Sequence, residues 1–199
     1  VIRQLHCSFK MLKPTIPPDL SYLEGRYRDD YLHDMRLCQQ WAVINRSMIT
    51  GLITDYLSGC GWAENADAGQ RFESVHNYIG DDNIIRKGAI SAREGQRCII
   101  PLNMRDGSLI CVGKGNEDWN FSAPHGAGRI MSRAQAFRQI SLDDYAQSMQ
   151  GIYTESVNEE TKDESPMVYK PKDEIISNIA DTVTVENVIK PVYNFKAAE

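Results

Sequence analysis

No run of apolar residues in this 199-residue chain approaches the ~20 needed to cross a bilayer, so no membrane-spanning helix is expected. Cysteine is scarce: five residues, Cys7, Cys38, Cys60, Cys98 and Cys111, an odd count with no CxxC pair. That is poor material for a disulfide framework or a zinc knuckle and fits a reducing cytoplasm. The four histidines, His6, His33, His76 and His125, are too scattered for any two to share the helical or hairpin spacing of a ready-made metal site. There is no internal repeat or low-complexity tract. The start, Val1-Ile2-Arg3-Gln4, is followed by neither the apolar stretch nor the small-residue cleavage site of a signal peptide.

A hydrophobic fraction of 42% and a charged fraction of 25% describe an ordinary globular chain, long enough for one domain with a core. The net charge of −5 argues against a protein that coats nucleic acid. Its distribution is uneven. Residues 80–140 carry nine Lys or Arg against six Asp or Glu, whereas residues 143–174 carry three against nine. A basic centre followed by an acidic stretch is compatible with an anion site walled by a solvated acidic surface, and equally with scatter over an ordinary surface.

Residues 1–28 read as irregular, with Pro14, Pro17 and Pro18 close together. From Asp29 to Leu57, Leu32, Met35, Trp41, Ile44, Met48, Leu52 and Tyr56 recur mostly at three- and four-residue spacings, which predicts a helix serving as core and scaffold. Asp29 and Asp30 suit its first turn and Ser58-Gly59 its end. Residues 72–113 predict strands: Ile- and Val-rich segments separated by turn signals at Asp81-Asp82-Asn83, Glu94-Gly95 and Asp106-Gly107. Further helices are expected from Arg129 to about Phe137, from Ser141, and over Lys172–Ala180. Residues 154–168 read as an acidic surface loop and 188–195 as a closing strand broken by Pro191. This pattern predicts an α+β domain rather than a doubly wound sheet.

The most informative stretch is Ser122-Ala123-Pro124-His125-Gly126-Ala127-Gly128-Arg129-Ile130-Met131-Ser132-Arg133. Glycines at i and i+2 let backbone approach a ligand closely. A helix starting there would offer free N–H groups to a phosphate, with Arg129 and Arg133 adding charge from one helix face. A neutral imidazole at the lip of that seat is a competent nucleophile toward phosphorus. The same residues also fit a plain glycine turn beside a satisfied surface histidine.

Around it, in order, stand His76-Asn77-Tyr78, Arg86-Lys87-Gly88-Ala89, Ile99-Ile100-Pro101 with Met104 and Ser108, then His125-Gly126-Ala127-Gly128-Arg129-Ile130-Met131-Ser132-Arg133. Upstream lie Tyr31-Leu32-His33-Asp34-Met35 and Ala42-Val43-Ile44-Asn45-Arg46, and at the end Lys190-Pro191-Val192-Tyr193-Asn194-Phe195-Lys196. Over nearly its whole length the chain resembles the C-terminal half of the RtcB family of RNA-splicing ligases.

The resemblance implies an RtcB-type α+β ligase fold, with residues 1–199 as the C-terminal part of a single catalytic domain. It implies a GTP- and manganese-dependent reaction joining an RNA 3′-phosphate or 2′,3′-cyclic phosphate to a 5′-hydroxyl. In that reading His125 accepts guanylate and His76 binds metal. Asn77, Asn103, Ser108, Gly126, Ala127, Gly128, Arg129 and Lys196 would contact the nucleotide. Arg86 and Lys87 are either contacts to RNA phosphate or paired surface charges. The expected partners are RNA ends, from tRNA halves or broken RNA, and the family's N-terminal metal-binding part.

Two departures matter. Where many members have a Pro-Gly-Ser-Met-Gly turn, this chain has Pro101-Leu102-Asn103-Met104-Arg105. The family's metal-binding Asp, Cys and two further histidines have no match, since His6 and Cys7 do not fit those motifs, and one histidine cannot hold a manganese pair. The alternative function is a non-catalytic guanine-nucleotide or RNA-binding module. A histidine phosphatase would show an Arg-His-Gly motif near its start, which is absent.

Overall fold

A computed structural model describes residues 22–61 and 71–196. They belong to two units, Val1–Gln70 and Arg71–Glu199. The proline-rich start, with His6 and Cys7, lies outside the described residues.

In the first unit a single helix, α1, runs over Gly25–Gly59. It starts four residues before the expected point, so Asp29 and Asp30 are not in its first turn. The expectation that it is mostly core is not met. None of its residues is buried, and Trp41, Ile44, Met48, Leu52 and Tyr56 on its apolar stripe are exposed. No described helix is long and apolar enough to cross a membrane.

The second unit runs β1 (His76–Ile79), β2 (Ile85–Ser91), β3 (Arg97–Asn103), β4 (Gly107–Gly113), β5 (Ser122–Pro124), α2 (Arg133–Gln139), α3 (Leu142–Ser148), β6 (Tyr153–Thr154), α4 (Lys172–Asn178), β7 (Val183–Ile189) and β8 (Tyr193–Asn194). The strands form two three-stranded antiparallel sheets, ordered β1-β2-β5 and β3-β4-β7, and a parallel pair of β6 with β8. The fold is α+β with a strand-rich centre, as expected.

Period-two burial explains how the sheets pack. On β3, Cys98, Ile100 and Leu102 are buried, and on β4, Leu109 and Cys111. They share one core with Ile90 and Ala123 of the first sheet, Ile175 and Ile179 around α4, and Val183 of β7. A second cluster joins Met104 to Ala136, Ile140, Tyr145, Met149 and Val168, so the α2–α3 region packs at the end of the β3–β4 hairpin. Asn103 shapes that hairpin: its Oδ1 accepts from the backbone N–H of Arg105 and of Asp106, and its Nδ2 donates to Asp106.

Three local expectations are corrected. The helix placed at Arg129 begins at Arg133, because Ser132 and Gln135 form a reciprocal capping box there. Gly128 instead turns with φ +71°, and the residues beside it pair with the Val168–Lys170 segment through Ile130 N–H to Val168 O and Lys170 N–H to Gly128 O. Arg129 and Arg133 therefore do not share a helix face. The acidic stretch read as surface loop holds two 3₁₀ turns, Glu159–Glu164 and Pro166–Val168, in which Thr161, Lys162, Asp163, Pro166 and Val168 are buried, as is Ser165 between them. The closing strand begins at Val183, five residues before the predicted point, and Pro191 separates it from β8.

Arg86 resolves into a structural role. It is 2% exposed, donates to Ser122 Oγ at 3.0 Å and pairs with Asp82 at 3.2 Å; Arg93 reaches the same carboxylate at 2.6 Å. Burial opposes ionisation of Asp82, yet hydrogen bonds from Arg93, the Ile84 amide and Arg86, with the Arg86 charge, hold its pKa down at about 2. Such a lowered carboxyl contributes stability above its unfolded value of about 3.9, lost as pH falls toward about 2. Asp82→Ala is expected to cost about 3 kcal/mol in denaturant unfolding by stranding a buried guanidinium, and to flatten the acid limb of the stability profile. A loss below about 1 kcal/mol would show the pair to be no more than a surface contact.

Candidate active site

The strand register brings distant residues together. His76 on β1 pairs with Ile90 on β2, and Ile90 pairs with Ala123 on β5, two residues before His125. The imidazoles of His76 and His125 consequently stand side by side, with centroids 4.9 Å apart and planes tilted by 43°. Both residues are exposed, and both line a cleft of about 790 Å³. Burial, and then the charge of His76, lower the pKa of His125, which favours its neutral ring. Among the described residues no hydrogen bond ties up that ring.

Pro101, Asn103, Ser108, Gly126, Ala127, Gly128, Arg129 and Lys196 line the same cleft, together with Glu164, Tyr169 and Asn194. Of the residues expected at the site, only Asn77 does not line it. Asn77 sits at the irregularity between His76 and Tyr78 with φ +58°. Its Oδ1 accepts from the Gly88 N–H at 2.8 Å, so its side chain braces β2. Gly88, quoted in its motif without a role of its own, also has a positive φ, and a Cβ there would meet the His125 ring at 3.8 Å. The glycine of the Arg-Lys-Gly-Ala motif thus sits against the imidazole.

The segment expected to seat an anion is a loop and not a helix end. The Ala127 N–H is spent on Pro101 O at 3.1 Å, whereas the N–H groups of Gly126, Gly128 and Arg129 have no partner among the described residues. Unpaired amides beside a glycine turn are chemically suited to an anion. The Ser108 hydroxyl is likewise without a protein partner among the described residues, while Asn103 keeps one amide hydrogen free of its turn.

The cationic side of the cleft is already engaged. Arg129 donates to the Asp163 carbonyl and lies 3.5 Å from the Asp163 carboxylate and 3.6 Å from Glu164, while its buried Nε has no partner. The Lys196 ammonium meets Glu164 Oε2 at 2.9 Å. The Tyr169 hydroxyl donates to the same oxygen at 3.0 Å, and the Arg129 guanidinium lies 5.4 Å from the Tyr169 ring centroid. Burial raises the Tyr169 pKa to about 12, helped by Glu164. Glu164 and Tyr169 were not foreseen. The one signal for Glu164 was the excess of acids over residues 143–174: two of them, Asp163 and Glu164, hold Arg129, while the other seven are exposed.

For a metal the fit is incomplete. No group of three or more His, Cys, Asp or Glu side chains able to hold an ion occurs among the described residues. His76 supplies one imidazole and no more.

Comparison with known proteins bears on this cleft. The family model for the tRNA-splicing ligase RtcB matches residues 12–197. The RNA-splicing ligase RtcB of Escherichia coli K12 is 34% identical over 192 residues, covering 89% of this chain and 47% of the relative. The tRNA-splicing ligase RtcB of Aeropyrum pernix is 28% identical over 210 residues, covering 88% and 43%. That of Archaeoglobus fulgidus is 36% identical over 185 residues, covering 77% and 38%. The chain spans about half the length, or less, of these curated relatives.

Proposed function

The chain belongs to the RtcB family, and from that premise we propose that its cleft is the guanylate-accepting part of an RNA ligase that joins a 3′-phosphate, or a 2′,3′-cyclic phosphate opened to one, to a 5′-hydroxyl. The observation that carries the reading is one exposed imidazole, His125, beside a second imidazole and next in the chain to a loop with three amide hydrogens unpaired among the described residues.

In this reading GTP is substrate. Its phosphates would take the Gly126, Gly128 and Arg129 amides, with Ser108, Asn103 and Lys196 of the same cleft as further contacts. A neutral ring nitrogen of His125 attacks the α-phosphorus. A P–N bond forms, the bond to the pyrophosphate oxygen breaks, and the ring sheds its proton. An oxygen of the RNA 3′-phosphate then attacks the guanylate phosphorus and breaks the P–N bond. The 5′-hydroxyl attacks the activated 3′-phosphate and expels GMP. Free amides near developing phosphate charge, and a nucleophile beside them, are the effects this chain would supply.

Manganese, which the family reaction uses, would neutralise phosphate charge and align the reacting groups. His76 fits as one of its ligands, and the residues described here do not complete a site. We assign the remaining ligands to the half of the relatives' length that this chain does not match, which makes that N-terminal part an obligatory partner. The same incompleteness favours one second reading, a guanine-nucleotide- or RNA-binding module without catalysis.

Incubating the full-length protein with GTP and manganese separates the two. The ligase reading expects an acid-labile gain of one guanylate per chain, seen by intact mass and mapped to the His125 peptide. Nucleotide that binds but never becomes covalent supports the module.

A further inference from the structure

One carboxylate organises the cationic wall of the cleft. Glu164 Oε2 accepts from both the Lys196 ammonium, at 2.9 Å, and the Tyr169 hydroxyl, at 3.0 Å, while Oε1 faces Arg129 at 3.6 Å. Its side chain is 20% exposed. Burial works against its charge, but the hydrogen bond and charge of Lys196, the Tyr169 hydroxyl and Arg129 keep its pKa below the ordinary glutamate value. The lysine is fixed at its other end as well. Ser156, itself 4% exposed, accepts the Lys196 N–H at 2.8 Å and donates to the Lys196 carbonyl at 3.4 Å. A lysine near a chain end ordinarily keeps most of its rotamer freedom; this one is held at both main-chain groups and at its ammonium.

We propose that Glu164 is a positioning residue of the nucleotide cleft, which pre-sets Lys196 and Tyr169 for a nucleoside triphosphate and acts on that ligand through them. This rests on the reading of the cleft as a GTP site. The 3₁₀ turn Glu159–Glu164 is the device that delivers it. Thr161 anchors the turn on the Ser156 carbonyl, so one segment places both the carboxylate and the serine that hold the lysine. Removing the carboxylate frees a flexible ammonium and an unpaired phenol, and each must then be ordered when ligand binds.

The test is equilibrium binding of GTP to the full-length protein, with Glu164→Gln, Glu164→Ala, Lys196→Ala and the Glu164→Ala/Lys196→Ala double variant. Glu164→Ala is expected to weaken binding about ten-fold, the scale of re-ordering the freed lysine and phenol when ligand binds. Glu164→Gln, which keeps an acceptor but no charge, falls between it and wild type. The double variant binds no more weakly than Lys196→Ala alone, because a residue acting through the lysine has nothing left to position. The rate of His125 guanylylation at saturating GTP stays within about two-fold of wild type, a split that general destabilisation of the fold would not produce.

Additive losses in the double variant, or unchanged GTP affinity in a folded Glu164→Ala, overturn the positioning role and leave the GTP site standing. Should Glu164→Ala not fold, the intermediate affinity expected of Glu164→Gln decides the matter: wild-type binding there overturns the role. A wild-type protein that binds no GTP defeats the cleft reading itself and this role with it.

Discussion

His125→Ala in the full-length protein is expected to lose the guanylate adduct entirely and to join RNA ends at least about 10⁴-fold more slowly, the scale on which removal of a nucleophile is felt. The expectation rests on geometry. The ring is exposed in the cleft, lies 4.9 Å from His76 by centroid, and is free of hydrogen bonds among the described residues. The other imidazole in the cleft, His76, lies outside the glycine loop and is the one the proposal gives to the metal. Because the residue is exposed and its ring makes no hydrogen bond among the described residues, the substitution should leave stability within about 0.5 kcal/mol of wild type, so lost activity cannot be blamed on unfolding. GTP affinity should change far less than the adduct rate, since the amide seat and Lys196 remain. The measurements are intact mass after incubation with GTP and manganese, and a gel assay of joined ends. An acid-labile guanylate that persists in the variant would move the nucleophile elsewhere and reduce His125 to a binding group.

How far this site was legible depends on which residues are considered. His76, the Arg-Lys-Gly-Ala motif and His125 stand out because glycines and histidines in ordered motifs leave a mark on sequence, and all three converge. What brings them together is invisible in sequence: the pairing of His76 with Ile90 and of Ile90 with Ala123 depends on non-local strand register. The helix expected at Arg129 failed for a different reason. Gly128-Arg129 carries no capping signal, whereas Ser132 with Gln135 does, and the cap decides where the helix starts.

Glu164 was hidden by composition. Acids in a run usually face water, and only the arrival of Arg129, Arg133 and Lys196 from other parts of the chain makes burial of Asp163 and Glu164 tolerable. For α1 the apolar periodicity was read correctly as a helix. Burial does not follow from periodicity alone, and within its own unit the stripe stays exposed.

Gly107→Ala should be among the most damaging single substitutions in the strand region, and its neighbour in kind, Gly95→Ala, shows why. Both glycines have positive φ, +79° and +73°. A side chain at Gly95 meets nothing within 4 Å, so alanine there bears only the left-handed strain of about 1 kcal/mol. At Gly107 a Cβ would fall 1.9 Å from the Ile189 carbonyl oxygen and 3.1 Å from the Lys190 Cα. Those are backbone atoms, and no side-chain rotation can relieve the clash. Relief requires β7 to move away from β4 where Ser108 pairs with Ile189. The expected cost is about 3 kcal/mol, strain and overpacking together. The damage also reaches the cleft, because Gly107, Ser108, Ile189 and Lys190 all line it. GTP affinity should fall in Gly107→Ala even under conditions where the variant is folded, and hold in Gly95→Ala. Urea unfolding midpoints and nucleotide titrations on the two variants supply the comparison. Equal destabilisation would mean that the close approach of β7 to the hairpin turn contributes nothing beyond backbone strain.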